Sequence, residues 1–166
     1  MEATDDVAAA GSPTGDAGKL ALREARRQLG AQEDPPGSNR TRFGAWFGAD
    51  GVPWCAIFVS YCFSVGAGTT LCAGWTGAGV AARGVAYVPT LEAWLRATGR
   101  WIVWPPRPGD VVVYDWDGGE PDHCGLVERV LADGGLQTIE GNAGAAGGGV
   151  VRLRRAERTV RGFGRI

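Results

Sequence analysis

The 166 residues are 45% hydrophobic and 21% charged, enough apolar side chains for one sizeable core and too short a chain for two full domains. A net charge of −1 argues against nucleic acid as a partner, and 28 glycines with nine prolines fall short of an unpatterned disordered composition. No apolar run approaches the ~18 residues that cross a bilayer, and Met1-Glu2-Ala3-Thr4-Asp5-Asp6 lacks the basic and apolar regions of a secretory signal.

Residues 1–18 carry four acids, Glu2, Asp5, Asp6 and Asp16, and no base, without periodicity, and read as a mobile acidic tail ahead of one domain over 19–166. Leu22, Ala25 and Leu29 at helical spacing predict a first amphipathic helix from Lys19 to Leu29, with Asp16 upstream as a cap and Gly30 as its stop. The Glu33-Asp34-Pro35-Pro36-Gly37 loop follows, and Ser38 or Asn39 is positioned to cap a short helix bearing Phe43, Trp46 and Phe47. Cys55, Phe58, Val59, Cys62 and Phe63 then recur at i, i+3, i+4, i+7 and i+8, which predicts the most buried helix over Cys55 to Ser64.

Gly66 to Val88 is glycine-rich and weakly patterned, a long loop of the kind that shapes a site. Thr90 caps a predicted helix from Leu91 to Thr98. Period-two patterning then predicts strands at Asp110 to Trp116, Cys124 to Leu131, Leu136 to Glu140, Val150 to Arg155 and Val160 to Arg165. Helices first and strands afterwards indicate an α+β fold with an antiparallel sheet of about five strands.

Four cysteines without a Cys-x-x-Cys pair, and the single histidine His123, fit neither a disulfide scaffold nor a zinc site. They do fit thiol chemistry. Cys55 falls in the first turn of its helix, where orphan N–H groups and the helix dipole favour a thiolate, although position alone reads equally well as a small buried hydrophobe. His123 opens a strand and so sits at the mouth of the sheet. Glu140 and Asn142, two apart on the next strand, share a face, with Glu140 suited to accept from Nδ1 of His123 and so fix its tautomer.

Four segments, Val52-Pro53-Trp54-Cys55-Ala56-Ile57-Phe58-Val59, Arg107-Pro108-Gly109-Asp110-Val111-Val112, Asp122-His123-Cys124-Gly125-Leu126-Val127 and Ile139-Glu140-Gly141-Asn142, resemble the CHAP domain, a cysteine- and histidine-dependent amidohydrolase or peptidase of the papain-like group. The resemblance runs over residues 19–166 and extends to Glu33–Asn39 and to Gly162–Arg165. It implies Cys55 as nucleophile, His123 as base and then acid, Glu140 as orienter and Asn142 as an auxiliary polar group. It implies peptidoglycan as substrate, cleaved at the sugar–peptide amide or within the stem or crossbridge. An intracellular or effector cysteine peptidase acting on protein tails, and a silent wall-binding module, are the alternatives.

The chemistry requires no metal or cofactor. Asp115, Asp117, Glu120 and Asp122 form the one acidic cluster, which lacks an EF-hand pattern and reads as a solvated hairpin turn. Trp54 and Trp116 are candidates to line a groove, and Glu33 and Asn39 to contact polar substrate groups. Cys62, Cys72 and Cys124 read as structural, with Cys124 pointing away from the His123 face. Arg152 and Arg154 alternate with Val151 and Leu153 and form a polar face able to attract an anionic wall polymer. The chain is expected to be a monomer, made in the cytoplasm and released to the wall by a holin-type or dedicated machine.

Overall fold

A computed structural model describes residues 14–145 and 148–166. Helix α1 spans Thr14–Arg27, α2 Arg42–Phe47 and α3 Cys55–Ala67. A small hairpin, β1 Val80–Ala81 with β2 Gly84–Val85, precedes α4 Val88–Ala97. Strands β3 Trp101–Ile102, β4 Val111–Tyr114, β5 His123–Val130, β6 Leu136–Ala143, β7 Gly149–Arg155 and β8 Val160–Gly164 complete the chain. The last six pair antiparallel in the order β3-β8-β4-β5-β6-β7, so helices packed on an antiparallel sheet form an α+β fold. None of the described helices is long and apolar enough to cross a membrane.

Helix α3 is buried nearly all round because it lies between α1 and the sheet. Ala56, Ile57, Phe58, Val59, Cys62 and Phe63 are all fully buried. Strand alternation divides the sheet's side chains between two clusters. Val111, Val113, Cys124, Leu126 and Ile139 join the helices in the main core, and Val112, Tyr114, Val127, Leu136 and Phe163 form a second one on the opposite face. Gly68, left-handed at φ 65°, ends α3 with its N–H donating to carbonyls of the last turn.

The structure corrects several expectations. Helix α1 begins at Thr14, ahead of the expected start at Lys19; residues 1–13 of the expected tail lie outside the described residues. At Gly18 the helix passes hard against the 107–110 turn, where a Cβ would come 2.8 Å from the Gly109 carbonyl oxygen, and no local pattern reports such a contact. Thr41, not Ser38 or Asn39, caps α2, its Oγ1 accepting from the Gly44 N–H at 3.1 Å. Helix α4 starts ahead of Thr90, with Tyr87 at the cap position, because Pro89 is accommodated in a first turn that needs no N–H. Among the described residues the sheet has six strands against the expected five or so, the extra one being β3, which is only two residues long and carries no period-two signal.

Candidate active site

Cys55 is the first residue of α3, after Trp54 at the cap position, and it lies against His123 and Cys124 at the start of β5. His123 is the first residue of β5 and pairs with Tyr114, the last of β4. Glu140, wholly buried on β6, lies beside them: its Oε2 is 2.9 Å from His123 Nε2. Nε2 therefore faces the carboxylate, and Nδ1 remains for Cys55, the reverse of the nitrogen assignment expected from sequence.

Both oxygens of Glu140 are filled. Oε1 accepts from the Tyr114 hydroxyl at 2.8 Å and from Thr138 Oγ1 at 2.6 Å, and Arg155 donates from Nε to Oε1 at 3.0 Å and from Nη2 to Oε2 at 2.5 Å. The imidazole is also held by flat contacts, its ring centroid 5.8 Å from that of Tyr114 and 5.5 Å from that of Trp116. Sequence reading missed Tyr114, Thr138 and Arg155. Thr138 has a local signal, being two residues from Glu140 on one strand; Arg155 has none, because its approach depends on the pairing of β6 with β7.

These contacts set the charges. Hydrogen bonding from Cys124 lowers the Cys55 thiol well below its usual range, against burial that raises it, and the hydrogen bond and charge of His123 lower it further. Burial pulls His123 down, but hydrogen bonding and charge from Cys55 and Glu140 outweigh it and raise the imidazole to about 9. Burial raises Glu140, yet Arg155 and His123 hold it down at about 2. These directions favour a thiolate beside an imidazolium and an ionised carboxylate.

Cys124 follows strand alternation onto the helix-facing side, away from Tyr114 and the Glu140 carboxylate. It points away from the His123 face as expected, but that is the side on which Cys55 lies, so Cys124 bears on the site from there. Cys62 and Cys72 sit apart in the core, the first raised well above the usual thiol range by burial and the second to about 12.

The family model of the CHAP domain matches residues 47–142, more than half the chain, and that span includes Cys55, His123 and Glu140. The chain belongs to the CHAP domain family. CHAP domains are hydrolases of the amidase or peptidase kind. A variant of the resuscitation promoting factor interacting protein RipA has a similar structure, with a TM-score of 0.55 at 19% identity over 98% of this chain and 67% of that one. The crystal structure of Ly7917 is similar at a TM-score of 0.50 and 20% identity, over 88% of this chain and 61% of that one. At such identities the likeness is one of fold, and this CHAP domain spans about three-fifths of the Ly7917 chain. No curated protein matches the sequence.

The other residues singled out in this CHAP domain divide by burial. Trp116 is half exposed beside His123 and is available to a ligand. Trp54 is not: it is fully buried, stacked on Phe43, with Nε1 donating to Glu33 Oε1 at 2.9 Å. Glu33, also buried, accepts from the Asn39 N–H at 3.0 Å, so it ties the Asn39 loop to the residue preceding Cys55 instead of lining a groove. Asn39 is half-buried and left-handed at φ 57°. Asn142 is also left-handed, at φ 56°, where the β6–β7 register shifts, and this breaks the alternation that would have set it beside Glu140.

Carboxylate oxygens of Asp115, Asp117 and Asp122 lie within 4.8 Å of one another, but each has work in the loop that carries Trp116. Asp115 pairs with Arg161 at 2.7 Å and accepts from the Gly118 N–H, Asp117 accepts from Gly119, and Asp122 accepts from the Trp116 N–H at 2.6 Å. Arg152 is bound by Glu128, and Arg154 by Asp133. Their charges are thus matched within the chain, which weakens the expected pull on an anionic polymer.

Proposed function

We propose that this CHAP domain is a peptidoglycan hydrolase that cleaves an amide bond through Cys55, His123 and Glu140. The observation that carries the reading is the arrangement of a depressed thiol at a helix start, an imidazole bridging from it, and a buried carboxylate on the far ring nitrogen. The Cys55 thiolate attacks the carbonyl carbon, and the oxyanion forms near the free N–H groups of the first turn of α3. His123, protonated at Nδ1, delivers that proton to the leaving amine as the C–N bond breaks, leaving a thioester. Water then attacks the thioester while His123 takes its proton, releasing the acid and restoring the thiolate. Glu140 keeps Nε2–H engaged throughout, which fixes the ring and stabilises the imidazolium.

The catalytic unit in this reading is a single domain from α1 to β8, with Trp116 flanking the scissile bond. Purified peptidoglycan of several crosslink types, treated with wild type and Cys55→Ala under reducing conditions, tests it by mass spectrometry of the released fragments. Wild type is expected to release fragments with new amino termini and the variant none; the fragments then name the bond. Intact sacculi with wild type would remove the substrate, and a Cys55 that still labels with a thiol probe would redirect the search to protein substrates.

A further inference from the structure

Arg155 ends β7, in an arginine-rich stretch in which Arg152 pairs with Glu128, Arg154 with Asp133 and Arg165 with Asp110. Arg155 instead turns its guanidinium onto Glu140, one nitrogen on each carboxylate oxygen, in the two-pronged geometry that only arginine provides. The same guanidinium lies 5.2 Å from the Tyr114 ring centroid and 5.6 Å from that of Trp116, the two rings that flank His123.

We infer that Arg155 is a positioning residue of the hydrolytic site, dividing the pull of Glu140 and holding Trp116 against His123 so that the imidazolium can still release its proton. The inference rests on the proposed roles of Cys55, His123 and Glu140. Glu140 Oε2 is shared between His123 Nε2 and Arg155 Nη2, so the two cations compete for one oxygen. With Arg155 present, thiolate, imidazolium, carboxylate and guanidinium sum to zero charge in a largely buried space. Without it, the set carries an unbalanced negative charge, and Glu140 is left to draw on His123 alone. A proton held too tightly on His123 is a poor one to give to a leaving amine. Cys55 and Glu140 already raise the imidazole, to about 9, and loss of Arg155 acts in the same direction.

The test reads the Cys55–His123 pair without a substrate. Iodoacetate, an anion, alkylates a thiolate faster while the neighbouring imidazolium is charged, so the rate at Cys55, followed by peptide mass, describes a bell in pH. Arg155→Met is expected to move the falling limb up by about one pH unit and to cut peptidoglycan release about tenfold or more. Arg155→Lys keeps the charge without the fork or the stacking, and is expected to leave the limb near wild type with a smaller loss. In a Glu140→Gln background, Arg155→Met is expected to add nothing, because its partner is gone. That double variant, with both charges removed, also serves if Arg155→Met alone does not fold.

A purely structural arginine would lower the melting temperature and leave the limb in place. An unmoved limb with wild-type release in Arg155→Met, or a full effect of that substitution in the Glu140→Gln background, overturns the inference. Continued cleavage by Cys55→Ala would instead sink the proposed role of Cys55 as nucleophile, and the alkylation bell of the wild-type thiol would still report on Arg155.

Discussion

Cys124, the residue after the histidine of the site, shares the helix-facing core with Cys55 at the head of α3, and hydrogen bonding between the two thiols lowers Cys55. That hydrogen bond and burial raise the Cys124 thiol well above the usual range, the opposite direction from Cys55. Cys124→Ala removes the largest of the influences that depress Cys55. The rising limb of Cys55 alkylation by iodoacetamide is expected to shift upward by about one pH unit, a tenfold lower rate below that limb. An unchanged limb would show that His123 and the helix terminus suffice.

Glu140→Gln keeps the shape of the side chain but removes the charge facing His123 Nε2. Because hydrogen bonding and charge from Glu140 contribute to raising the imidazole, its pKa is expected to fall from about 9 toward the ordinary value. The falling limb of the pH–rate profile moves down with it, and kcat/KM drops by roughly 10²- to 10⁴-fold, as when a histidine's orienting carboxylate is neutralised elsewhere. Retention of the wild-type limb would assign Glu140 a structural role only.

Gly125 lies on β5 directly against Glu140. A Cβ there would stand 2.5 Å from Glu140 Cγ, inside any real contact distance. Gly125→Ala is expected to push the carboxylate off His123 and reduce peptidoglycan release at least tenfold, approximately the loss seen when a supporting contact of a site is removed. The comparison is Gly135→Ala, in the β5–β6 turn, where the nearest atoms stand 3.2 Å away. Equal activity of the two variants would argue against a tight Glu140–His123 geometry.

Acid stability follows from Glu128, held between Arg152, Gln137 and Arg26. Hydrogen bonding from Arg152 above all lowers its carboxyl from 4.5 to about 2. The folded pKa lies below the unfolded one, so the unfolded chain binds the proton more readily. This contribution is therefore complete above pH 4.5 and is lost as pH falls through about 2. Melting temperatures of wild type and Glu128→Gln from pH 6 to 2 are expected to converge at the acid end. Parallel curves would mean that this cluster is screened by solvent.

Much of the fold can be read locally. The i, i+3, i+4 stripe from Cys55 to Phe63 and the alternating runs after residue 110 announce a buried helix and a later sheet, because burial of one face imposes those periods. The errors fall where tertiary contacts override them. Trp54 reads as a groove tryptophan by its place beside Cys55, yet Phe43 and Glu33 draw it wholly inside. Asn142 reads as the neighbour of Glu140, yet a left-handed residue at a register shift breaks the period of two.

By itself the sequence determined the class of fold, the family, and which thiol, imidazole and carboxylate to consider, since residue type and local spacing carry that information. Only the tertiary structure decided which ring nitrogen meets Glu140, that Cys124 bears on Cys55, and that Arg155 completes the carboxylate's surroundings. These are relations between strands and helices distant along the chain, set by sheet register and by the docking of α3 on β5 and β6. Hydrogen bonds and charges act over a few ångströms of space, whatever the separation in sequence.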